Sequence, residues 1–570
     1  MFLFACLCAG TLALHAQPCT NPQSQIDIHG NNIRARLLNG GDLFWDFSDA
    51  QFLPNYQAGQ ANPATIFAGS LWIGGIEPAG NIKLAAVTYR SDGKPDFFAG
   101  PLDPDGFTTA TACSNWDRHF KVTGAEIDAF LKDLPNISGN PQLAVSKYPA
   151  VMGWPARGNA YFAGIHGFDL PFAPQALAGF YDADSDGVYN PLQGDYPAVQ
   201  LQMGIIFVPA EIVWCVFNDQ GAGASHASSG GAPFPAEVQL TAWAFNCGDQ
   251  PVLNNTLFTS HKIIYRGVEP VDSCFIGIWT DFDIGCYTDD YLGCNPELHC
   301  YYGYNTDAVD GGSGMDCPSP AGNIPTFGAL PPVQSVTFLS RSLDKFIPVL
   351  NSVNVSPPSG TTDPIAVLEF YRYLTGYWRD GSPLTYGGLG WNTAGAVTNH
   401  AFPDDPADPN GWSMCTAGLP SYDQRGLGIH KVGALAPGQI EEMVTAWTYH
   451  PFMDAPCSVG NAFADIESLH THFANKFTGV CSPLTSLRNL SAADFSITPN
   501  PTTDEVTIQF QGLSVTEIRL MSNDGRVLQS IYRPHGETVA LNLSGIPAGI
   551  YFIQVSGEQG RAIRKLVVER

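Results

Sequence analysis

Three runs of β-branched and aromatic residues in the middle of the chain decide its fold class: Val238-Gln239-Leu240-Thr241-Ala242-Trp243, then Thr256-Leu257-Phe258-Thr259 continued by His261-Lys262-Ile263-Ile264-Tyr265, then Phe275-Ile276-Gly277-Ile278-Trp279. The turn-forming segment Gly267-Val268-Glu269-Pro270 separates the last two runs. Short strands at this spacing, divided by turn residues, are typical of antiparallel β-sandwiches. These runs therefore predict a sandwich in the body of the protein.

The composition of the whole chain favours the same class. Only 14% of the 570 residues are charged, and the chain contains 59 Gly and 44 Pro. Helical bundles contain fewer helix breakers and more charged residues. Two short helices are predicted, at residues 123–134, where Thr123 and Glu126 have the spacing of a capping box, and at residues 462–477. We expect a mainly β protein with a β-sandwich-rich body, two short helices and a small C-terminal antiparallel β-sandwich.

The charge balance excludes several classes of partner. The chain has 27 Lys and Arg against 53 Asp and Glu, a net charge of −26. Such a chain offers no basic surface for nucleic acid or for an anionic membrane. Hydrophobic residues make up 44% of the chain and aromatic residues 12%, which excludes intrinsic disorder. We therefore expect a folded protein with no nucleic-acid partner and no transmembrane segment.

The first sixteen residues read as a secretory signal peptide. Residues 1–16 carry no charged side chain and form an apolar stretch too short to span a bilayer, and Ala16 precedes a plausible cleavage point. The stretch lacks the usual basic start, which leaves open a different start codon or, less well supported, a lipoprotein at Cys6. We expect export.

Cysteine usage agrees with export. Of the 14 cysteines, Cys6 and Cys8 belong to the signal segment, and twelve, an even number, remain. In an oxidising compartment such cysteines usually form disulfides. The connectivity stays open. A zinc site at Cys286, Cys294, His299 and Cys300 is the alternative, although it lacks closely spaced cysteine pairs. Five cysteines fall in one window: Cys274, Cys286, Cys294, Cys300 and Cys317.

The chain divides into a body and a terminal module. Residues 17–485 read as a β-rich body, either one unit or two joined sandwiches that divide near residue 200, and residues 486–493 read as a linker. From residue 494 to residue 570, short alternating runs such as Val506-Thr507-Ile508-Gln509-Phe510 are separated by turn signals such as Asn523-Asp524-Gly525. This pattern predicts a small antiparallel sandwich.

The terminal module resembles a known family. Its ordered landmarks are Phe495-Ser496-Ile497-Thr498-Pro499-Asn500-Pro501, Asn523-Asp524-Gly525-Arg526-Val527, Gly549-Ile550-Tyr551-Phe552 and Arg564-Lys565-Leu566-Val567-Val568. Together they resemble the type A C-terminal sorting domain of the type IX secretion system of Bacteroidota. The resemblance implies a secreted or outer-surface protein that is recognised by the outer-membrane machinery and its sortase, then released or attached to surface lipopolysaccharide. The sorting residues that it implies are Pro499, Asn500, Pro501, Gly549, Tyr551 and Lys565.

The body resembles an uncharacterised family of secreted proteins with the same sorting domain. The shared landmarks span most of residues 60–480 and carry no known activity to this chain. They are residues 68–75, 180–187, 194–197, 216–219, 279–285, 378–388 and 402–406.

A calcium-binding loop is the sharpest local motif. Oxygen ligands at loop positions 1, 3 and 5, a Gly at position 6 and a backbone carbonyl at position 7 suit Ca²⁺. Gln193 replaces the usual Glu at position 12, so Asp195 completes the ligand set instead. The alternative is an acidic turn whose carboxylates bond only nearby backbone amides. The predicted ligands are Asp182, Asp184, Asp186, Val188, Asn190 and Asp195.

A second acidic group follows the strand that ends at Trp279, and it consists of Asp281, Asp283, Asp289 and Asp290. We interpret it as a second cation site, with solvated loop acids and a catalytic carboxylate pair as the alternatives. Asp404, Asp405 and Asp408 lie among prolines and are expected in an exposed loop.

Other catalytic signatures are missing from the sequence, including G-x-S-x-G, H-E-x-x-H, the P-loop and G-x-G-x-x-G. His470 and His472 are two positions apart in the predicted second helix, so they point to different faces and do not predict a joint metal site. Aromatic residues in Gly- and Pro-rich loops either stack on sugar rings or cover the edge of the core. They are Trp378, Tyr386, Trp391 and Trp412.

Two functional hypotheses follow. The first is a non-enzymatic, calcium-stabilised surface or secreted protein that acts in adhesion, envelope assembly or ligand binding. The second is a secreted hydrolase or lectin-like protein acting on polysaccharide, with Asp281, Asp283 and the loop aromatics near its site.

Overall fold

The fold is taken from a computed structural model that describes most of the chain. The predicted signal peptide, the predicted linker and the turn at 523–525 lie outside the described residues. The described residues are 17–90, 93–171, 177–248, 250–312, 317–319, 322–353, 355–451, 455–484, 495–510, 515–522, 526–532, 534, 536, 538–557 and 560–569.

The chain forms two compact units. The first comprises Met1–Ile127 and Asn136–Ser482, and the second comprises Asp128–Pro135 and Pro483–Arg570. Strands dominate both units, so the mainly β prediction is confirmed. No helix in the described residues combines the length and the apolar character needed to cross a membrane.

The first large sheet of the body, sheet 1, has nine described strands in the order β1-β2-β3-β5-β16-β23-β22, with β4 beside β2 and β5, and β6 beside β5. All of its pairings are antiparallel. Its strands are β1 (Gln25–Ile28), β2 (Ile33–Leu38), β3 (Asp42–Leu43), β4 (Phe52–Pro54), β5 (Ile66–Ile76), β6 (Ile82–Ala86), β16 (Val271–Phe282), β22 (Lys345–Asn351) and β23 (Asp423–Leu435).

The second large sheet, sheet 2, also has nine described strands, in the order β17-β18-β21-β24-β15-β14-β13-β7, with β8 beside β13. The predicted runs at 238–243 and 256–265 are two of its central strands. Its strands are β7 (Phe98–Ala99), β8 (Phe120–Thr123), β13 (Glu211–Asn218), β14 (Ala236–Ala244), β15 (Thr256–Tyr265), β17 (Asp290–Asn295), β18 (Cys300–Asn305), β21 (Val333–Phe338) and β24 (Ile440–His450).

The two sheets share one hydrophobic core. Tyr301 of sheet 2 stacks on Phe346 of sheet 1 with ring centroids 5.2 Å apart, and the Phe44 ring lies 4.8 Å from that of Trp447. Both sheets contain strands from before and after residue 200. A division of the body near residue 200 therefore does not match this topology, because neither half could complete its sheets alone.

Short strands complete the body. They form three described two-stranded pairs, in which β9 joins β10, β11 joins β12 and β19 joins β20. Their bounds are β9 (Phe180–Tyr181), β10 (Tyr196–Pro197), β11 (Val199–Leu201), β12 (Ile205–Phe207), β19 (Cys317–Ser319) and β20 (Gly322–Ile324).

Both predicted helices are present. The capping box at the start of the first is confirmed, since Glu126 N donates to Thr123 Oγ1 at 3.2 Å and Thr123 N donates to Glu126 Oε2 at 2.8 Å. Six further described helices have eight residues or fewer, too short for a visible 3.6-residue period. The helices are α1 (Ala110–Trp116), α2 (Gly124–Ile137), α3 (Pro141–Lys147), α4 (Pro149–Met152), α5 (Phe162–His166), α6 (Pro251–Asn254), α7 (Val367–Leu374) and α8 (Ala462–Ala474).

Helix α7 covers part of the outer face of sheet 1, the face turned away from sheet 2. The ring of Trp72 lies 5.1 Å from that of Phe370 in α7, and a Cβ added at Gly277 would meet Leu374 at 2.9 Å. Because Trp72 pairs with Gly277 across the sheet, the two positions share this face. Side chains alternate along a strand, so Trp279 and Asp281 share it too.

Four disulfides link the described cysteines: Cys19–Cys113, Cys247–Cys481, Cys286–Cys317 and Cys415–Cys457. The prediction of disulfides is confirmed, but the five clustered cysteines supply only one bridge, because Cys274, Cys294 and Cys300 are buried free thiols. The Cys286–Cys317 bridge also rules out the alternative zinc site that used Cys286.

The C-terminal unit contains two small antiparallel sheets around one core, as predicted for its sequence. Three strands form the order β25-β26-β29, and four form the order β28-β27-β30-β31. Residues from both sheets, among them Ile508 and Ile553, are fully buried together. The strands are β25 (Phe495–Thr498), β26 (Glu505–Phe510), β27 (Val515–Ser522), β28 (Val527–Tyr532), β29 (Thr538–Asn542), β30 (Gly549–Gly557) and β31 (Gly560–Val568).

Candidate functional site

Two neighbouring strands of sheet 1 bring three acids and one arginine together. Asp281 at the end of β16 pairs directly with Arg425 of β23. Asp283 lies two positions beyond Asp281, and Asp423 lies two positions before Arg425. Because alternate residues of a strand share a face, all four side chains project from the outer face of sheet 1. Carboxylate oxygens of the three acids lie within 4.8 Å of one another.

Tyr89, in the segment that follows β6, closes one side of this group. Its hydroxyl donates to Asp281 Oδ2 and accepts from Arg425 Nη2 at 3.0 Å. Its ring lies 5.3 Å from Trp279, 5.8 Å from Trp45 and 5.7 Å from Phe67. Tyr89 therefore packs against these three aromatic rings through its own ring and bonds the charged residues Asp281 and Arg425 through its hydroxyl.

A β-bulge brings Phe67 into the aromatic wall. The register of β5 against β16 shifts between the pairs Asp281–Ala68 and Phe282–Ile66, and Phe67 lies in that irregularity. Bulges redirect a side chain and are over-represented next to functional sites.

These residues line a cavity of 420 Å³. We call it the aromatic-acidic pocket. Its volume lies within the usual range for small-molecule sites, roughly 300–1,000 Å³. The full set of lining residues is Trp45, Phe67, Tyr89, Asp281, Asp283, Tyr287, Ile324, Asp423 and Arg425.

Arg425 holds two of the three acids. Its Nε lies 3.2 Å from Asp281 Oδ1, and its Nη1 lies 2.8 Å from Asp423 Oδ1. Asp283 accepts no hydrogen bond from any described residue, so its carboxyl group is available to a ligand. The guanidinium gives the acids one positive charge, which reduces the need for a metal ion in this pocket.

Burial and mutual repulsion favour protonated acids in the pocket. Desolvation, opposed by Arg425 and reinforced by Asp423, raises the pKa of Asp281 to about 7. Desolvation and the nearby charges of Asp281 and Asp423 raise the pKa of Asp283 well above its usual value. Desolvation, and then the charge of Asp281, also raise the pKa of the Tyr89 phenol. The pocket therefore combines flat apolar rings with Asp281, which can exchange a proton near neutral pH, and with Asp283, whose pKa is also raised.

The Asp-rich loop, residues 182–195, lies outside this pocket and connects β9 to β10. Carboxylate oxygens of Asp182, Asp184 and Asp195 lie within 4.8 Å of one another. Asp195 is 1% exposed and accepts from Ala183 N at 2.9 Å and from Asn190 N at 2.7 Å. No described Lys or Arg forms an ion pair with these three acids. Desolvation, and then the charges of Asp182 and Asp184, raise the pKa of Asp195.

The other predicted calcium ligands have different positions. The carboxylate of Asp186 accepts from Val188 N at 2.7 Å and stands apart from the group of three acids. Val188 is exposed, and Asn190 is held by its backbone to Asp195. Asp182 accepts from Gly187 N at 2.8 Å, as in the acidic-turn alternative.

The second predicted acidic group divides into two parts. Asp281 and Asp283 join Asp423, whereas Asp289 and Asp290 lie at the start of β17 and are absent from that cluster. Asp290 Oδ2 accepts from Ile284 N at 2.9 Å, and Asp289 Oδ2 accepts from Gly311 N at 2.8 Å. These two acids therefore bond backbone amides of the adjoining loops.

The loop aromatics are not the sugar-stacking surface considered in the sequence analysis. Trp378 is fully buried and donates from Nε1 to Gly390 O at 2.9 Å. Trp412 is 4% exposed and donates to Gly388 O at 2.9 Å. Trp391 is half-buried and donates to Asp380, which leaves Tyr386 as the exposed member. These rings cover the edge of the core.

His470 and the Pro-rich acids occupy different surroundings. His470 is half-buried and lies 2.8 Å from Leu298 O through its Nε2. Asp405 and Asp408 are exposed, and Asp404 is half-buried and accepts from Trp412 N at 2.7 Å.

Sequence reasoning missed the residues that complete the aromatic-acidic pocket, namely Trp45, Phe67, Tyr89, Tyr287, Ile324, Asp423 and Arg425. The pattern Asp423-Gln424-Arg425 at the start of a strand places an acid and an arginine on one face, which could have indicated Asp423 and Arg425.

Of the predicted sorting residues, Pro499, Asn500 and Pro501 follow β25, Gly549 begins β30, Tyr551 lies near the start of β30, and Lys565 lies inside β31. Asn500 Nδ2 donates to Lys565 O at 2.7 Å, and Val567 N donates to Asn500 Oδ1 at 2.8 Å. The Tyr551 hydroxyl donates to Pro547 O at 2.9 Å, which fixes the start of β30. These contacts join the first turn of the domain to its last strand.

Comparisons with known proteins assign the terminal module. No curated protein matches the chain. Among solved structures, a polysaccharide lyase aligns at 8% identity and a TM-score of 0.19, over 59% of this chain and 34% of the lyase, and this likeness carries no argument. Residues 496–569 match the secretion system C-terminal sorting domain. This module directs export and recognition by the type IX machinery. The chain is therefore a secreted or cell-surface cargo protein of the type IX secretion system.

Proposed function

We propose that this cargo protein is a non-enzymatic ligand-binding protein of the cell surface or its surroundings, and that the aromatic-acidic pocket binds a carbohydrate. The observation that carries the proposal is the meeting of the Tyr89 ring with Asp281, Asp283 and Arg425 in one cavity. Aromatic rings pack against the apolar faces of sugars, and carboxyl and guanidinium groups exchange hydrogen bonds with hydroxyls.

The location of the protein, secreted or at the cell surface, suits carbohydrate binding. A surface glycan or lipopolysaccharide bound here would serve adhesion or envelope assembly. We further propose that Ca²⁺ stabilises the body through Asp182, Asp184 and Asp195, because three carboxylates without a basic partner repel one another until a cation joins them.

Glycan-array binding of the full chain tests the proposal. Wild-type protein should bind a defined set of glycans. Asp283→Ala should weaken that binding about tenfold, because it removes a polar contact worth about 1–2 kcal/mol, and Tyr89→Leu should weaken it by about as much, because it removes the ring that packs on the sugar. Asp105→Ala is the control, since Asp105 is an exposed loop acid that does not line the pocket. Binding that is equal in all variants, or no binding at all, would contradict the proposal.

Hydrolysis of the bound glycan is the second candidate, and the spacing of the acids favours it. Retaining glycosidases place two carboxyl groups about 5 Å apart, and the raised pKa of Asp283 would keep it protonated as the acid. Turnover of array-positive glycans should then disappear in both Asp281→Asn and Asp283→Asn while both variants stay folded. Absence of turnover in the wild type supports the binding protein.

A further inference from the structure

A second cavity lies on the outer face of sheet 2, with a volume of 200 Å³. We call it the polar cavity. Its floor is a row of polar side chains across three strands: Gln239 of β14 pairs with Lys262 of β15, and Lys262 pairs with Glu442 of β24. Thr241 and Ser260 form the next row. Residues 177–202 supply the opposite wall, and the complete lining is Leu177, Gly179, Gln200, Leu201, Gln202, Trp214, Gln239, Thr241, Ser260, Lys262 and Glu442.

Gln239 gives the cavity an unsatisfied acceptor. Its side chain is 1% exposed, and its Nε2 donates to Glu237 Oε1 at 2.9 Å. A carboxylate can only accept, so the amide nitrogen must face Glu237 and the amide oxygen must face away from it. That oxygen has no hydrogen-bond partner among the described residues. Buried polar atoms without partners are rare, and a bound molecule would satisfy this one.

The charges of the cavity balance. Lys262 lies opposite Glu442, whose Oε1 accepts from Ser260 Oγ at 3.0 Å and whose Oε2 accepts from Gln202 N at 2.6 Å. Lys262 and Glu442 carry one formal charge of each sign, so a ligand with a net charge would add a buried charge that the cavity does not balance, which is costly. A neutral ligand that donates to Gln239 and exchanges hydrogen bonds with the Thr241 hydroxyl avoids this cost.

The cavity also has apolar lining. Trp214, which pairs with Thr241 in sheet 2, is 1% exposed, and Leu177 and Leu201 of the opposite wall are also buried. The cavity is smaller than the usual range for drug-sized ligands, roughly 300–1,000 Å³. From the open acceptor, the balanced charges and the size, we propose that the polar cavity binds a small uncharged polyol of about one sugar unit.

Calorimetry and saturation-transfer NMR on the full chain test this proposal, with glucose, mannose, N-acetylglucosamine and inositol as neutral probes and ethanolamine and glucuronate as charged probes. At least one neutral probe should bind, and neither charged probe should. Thr241→Val and Gln239→Leu should each weaken that binding about tenfold. Thr337→Val is the matched control, because Thr337 is a fully buried threonine of the same sheet without a hydroxyl partner and lies outside the cavity.

The aromatic-acidic pocket could bind the same probes, so Asp283→Ala separates the two sites. Binding that survives Asp283→Ala and is lost in Thr241→Val supports the polar cavity. Binding that is lost in Asp283→Ala and survives in Thr241→Val overturns this inference and leaves the proposed function intact. Failure of every neutral probe, or equal binding of the charged probes, also overturns it.

Discussion

Arg425 faces Asp281 across the antiparallel pair β16–β23, and its Nε lies 3.2 Å from Asp281 Oδ1. Both residues are less than a tenth exposed. Asp423 shares the same guanidinium, and Asp283 adds a third acid within reach. Arg425 therefore holds the acids together in the lining of the aromatic-acidic pocket, and its substitution should change the free energy of unfolding.

Arg425→Met should destabilise the protein by about 1–3 kcal/mol at neutral pH, because the buried carboxyl groups of Asp281 and Asp423 lose a hydrogen-bond donor and, where ionised, their counter-charge. The loss should shrink in mild acid, where those carboxyls are protonated. Denaturant unfolding at two pH values measures both effects. Arg341→Met is the control: Arg341 pairs with Glu441 at 2.9 Å in a more exposed position, and it should cost no more than about 1 kcal/mol. Equal losses would contradict the buried-pair argument.

The buried acids should contribute stability in mild acid that is lost in mild base. Buried histidines act in the opposite direction, since desolvation lowers the pKa of His119 to about 3 and that of His261 to about 4. Desolvation raises the pKa of Asp281 and of Asp310 to about 7 and that of Asp289 to about 6. The folded state therefore holds protons that the unfolded state, with a carboxyl pKa of about 4, has released. Stability from these groups is full below about pH 4 and is lost as the pH rises through 6–7.

The free energy of unfolding of the wild type and of Asp310→Asn, measured from about pH 5 to about pH 8, checks this expectation. The advantage of the wild type over Asp310→Asn should shrink as the pH rises, since the substitution removes one of the raised groups. The difference between the wild type and Asp27→Asn should not shrink in this way, because desolvation is outweighed by hydrogen bonds from Arg36 and Arg34, which lower the pKa of Asp27. A difference between the wild type and Asp310→Asn that is the same at every pH would contradict a raised pKa for Asp310.

The fold and the pocket differ in how far the sequence predicts them. The strand runs of β14 and β15 are local patterns of period and composition, and they were predicted within about two residues. The Asp-rich loop is equally local, so its three convergent acids were found, including Asp195. Asp423 and Arg425 reach Asp281 only through the pairing of strands about 140 residues apart, which no single-sequence pattern specifies.

For the loop aromatics, the sequence predicted the local segment correctly but not the burial of the side chains. Composition places Trp378 and Trp412 in turn-rich segments, and such segments are usually exposed. Their burial depends on where those segments fold back over the core, and that is a tertiary property. The place of Phe67 in the pocket is also a tertiary property. A one-residue bulge between β5 and β16 changes the face to which its ring points.

His226 should stabilise the fold as a buried imidazolium. Its Nδ1 lies 2.7 Å from the backbone oxygen of Leu84, and its Nε2 lies 2.7 Å from the backbone oxygen of Asp219. Both carbonyl oxygens can only accept a hydrogen bond. A neutral imidazole has one N–H and satisfies one of them, whereas the cation satisfies both. Burial lowers the pKa of His226, but the charges of Asp219 and Asp96 and the two carbonyls outweigh it, so the pKa is raised.

A raised histidine pKa contributes stability that is full below about pH 6.5 and is lost as the pH rises through the folded value. His226→Gln should therefore cost more stability near pH 6 than above pH 8, by thermal or denaturant unfolding. His470→Gln is the control, since His470 makes a single contact with a carbonyl and burial lowers its pKa. A cost that does not change with pH would assign His226 a neutral packing role.

Calcium removal tests the Asp-rich loop. Ca²⁺ at Asp182, Asp184 and Asp195 would bind the folded state only, and such a ligand at a hundred times its Kd stabilises by about 2.7 kcal/mol. We therefore expect chelator to lower the melting temperature by several degrees and added Ca²⁺ to restore it. Asp184→Asn removes one of the three convergent carboxylates and should abolish the response. Asp105→Asn, which changes an exposed loop acid outside any acidic cluster, should keep it. If the wild type melts at the same temperature with and without chelator, the loop is an acidic turn held by backbone amides such as Gly187 N, which already donates to Asp182.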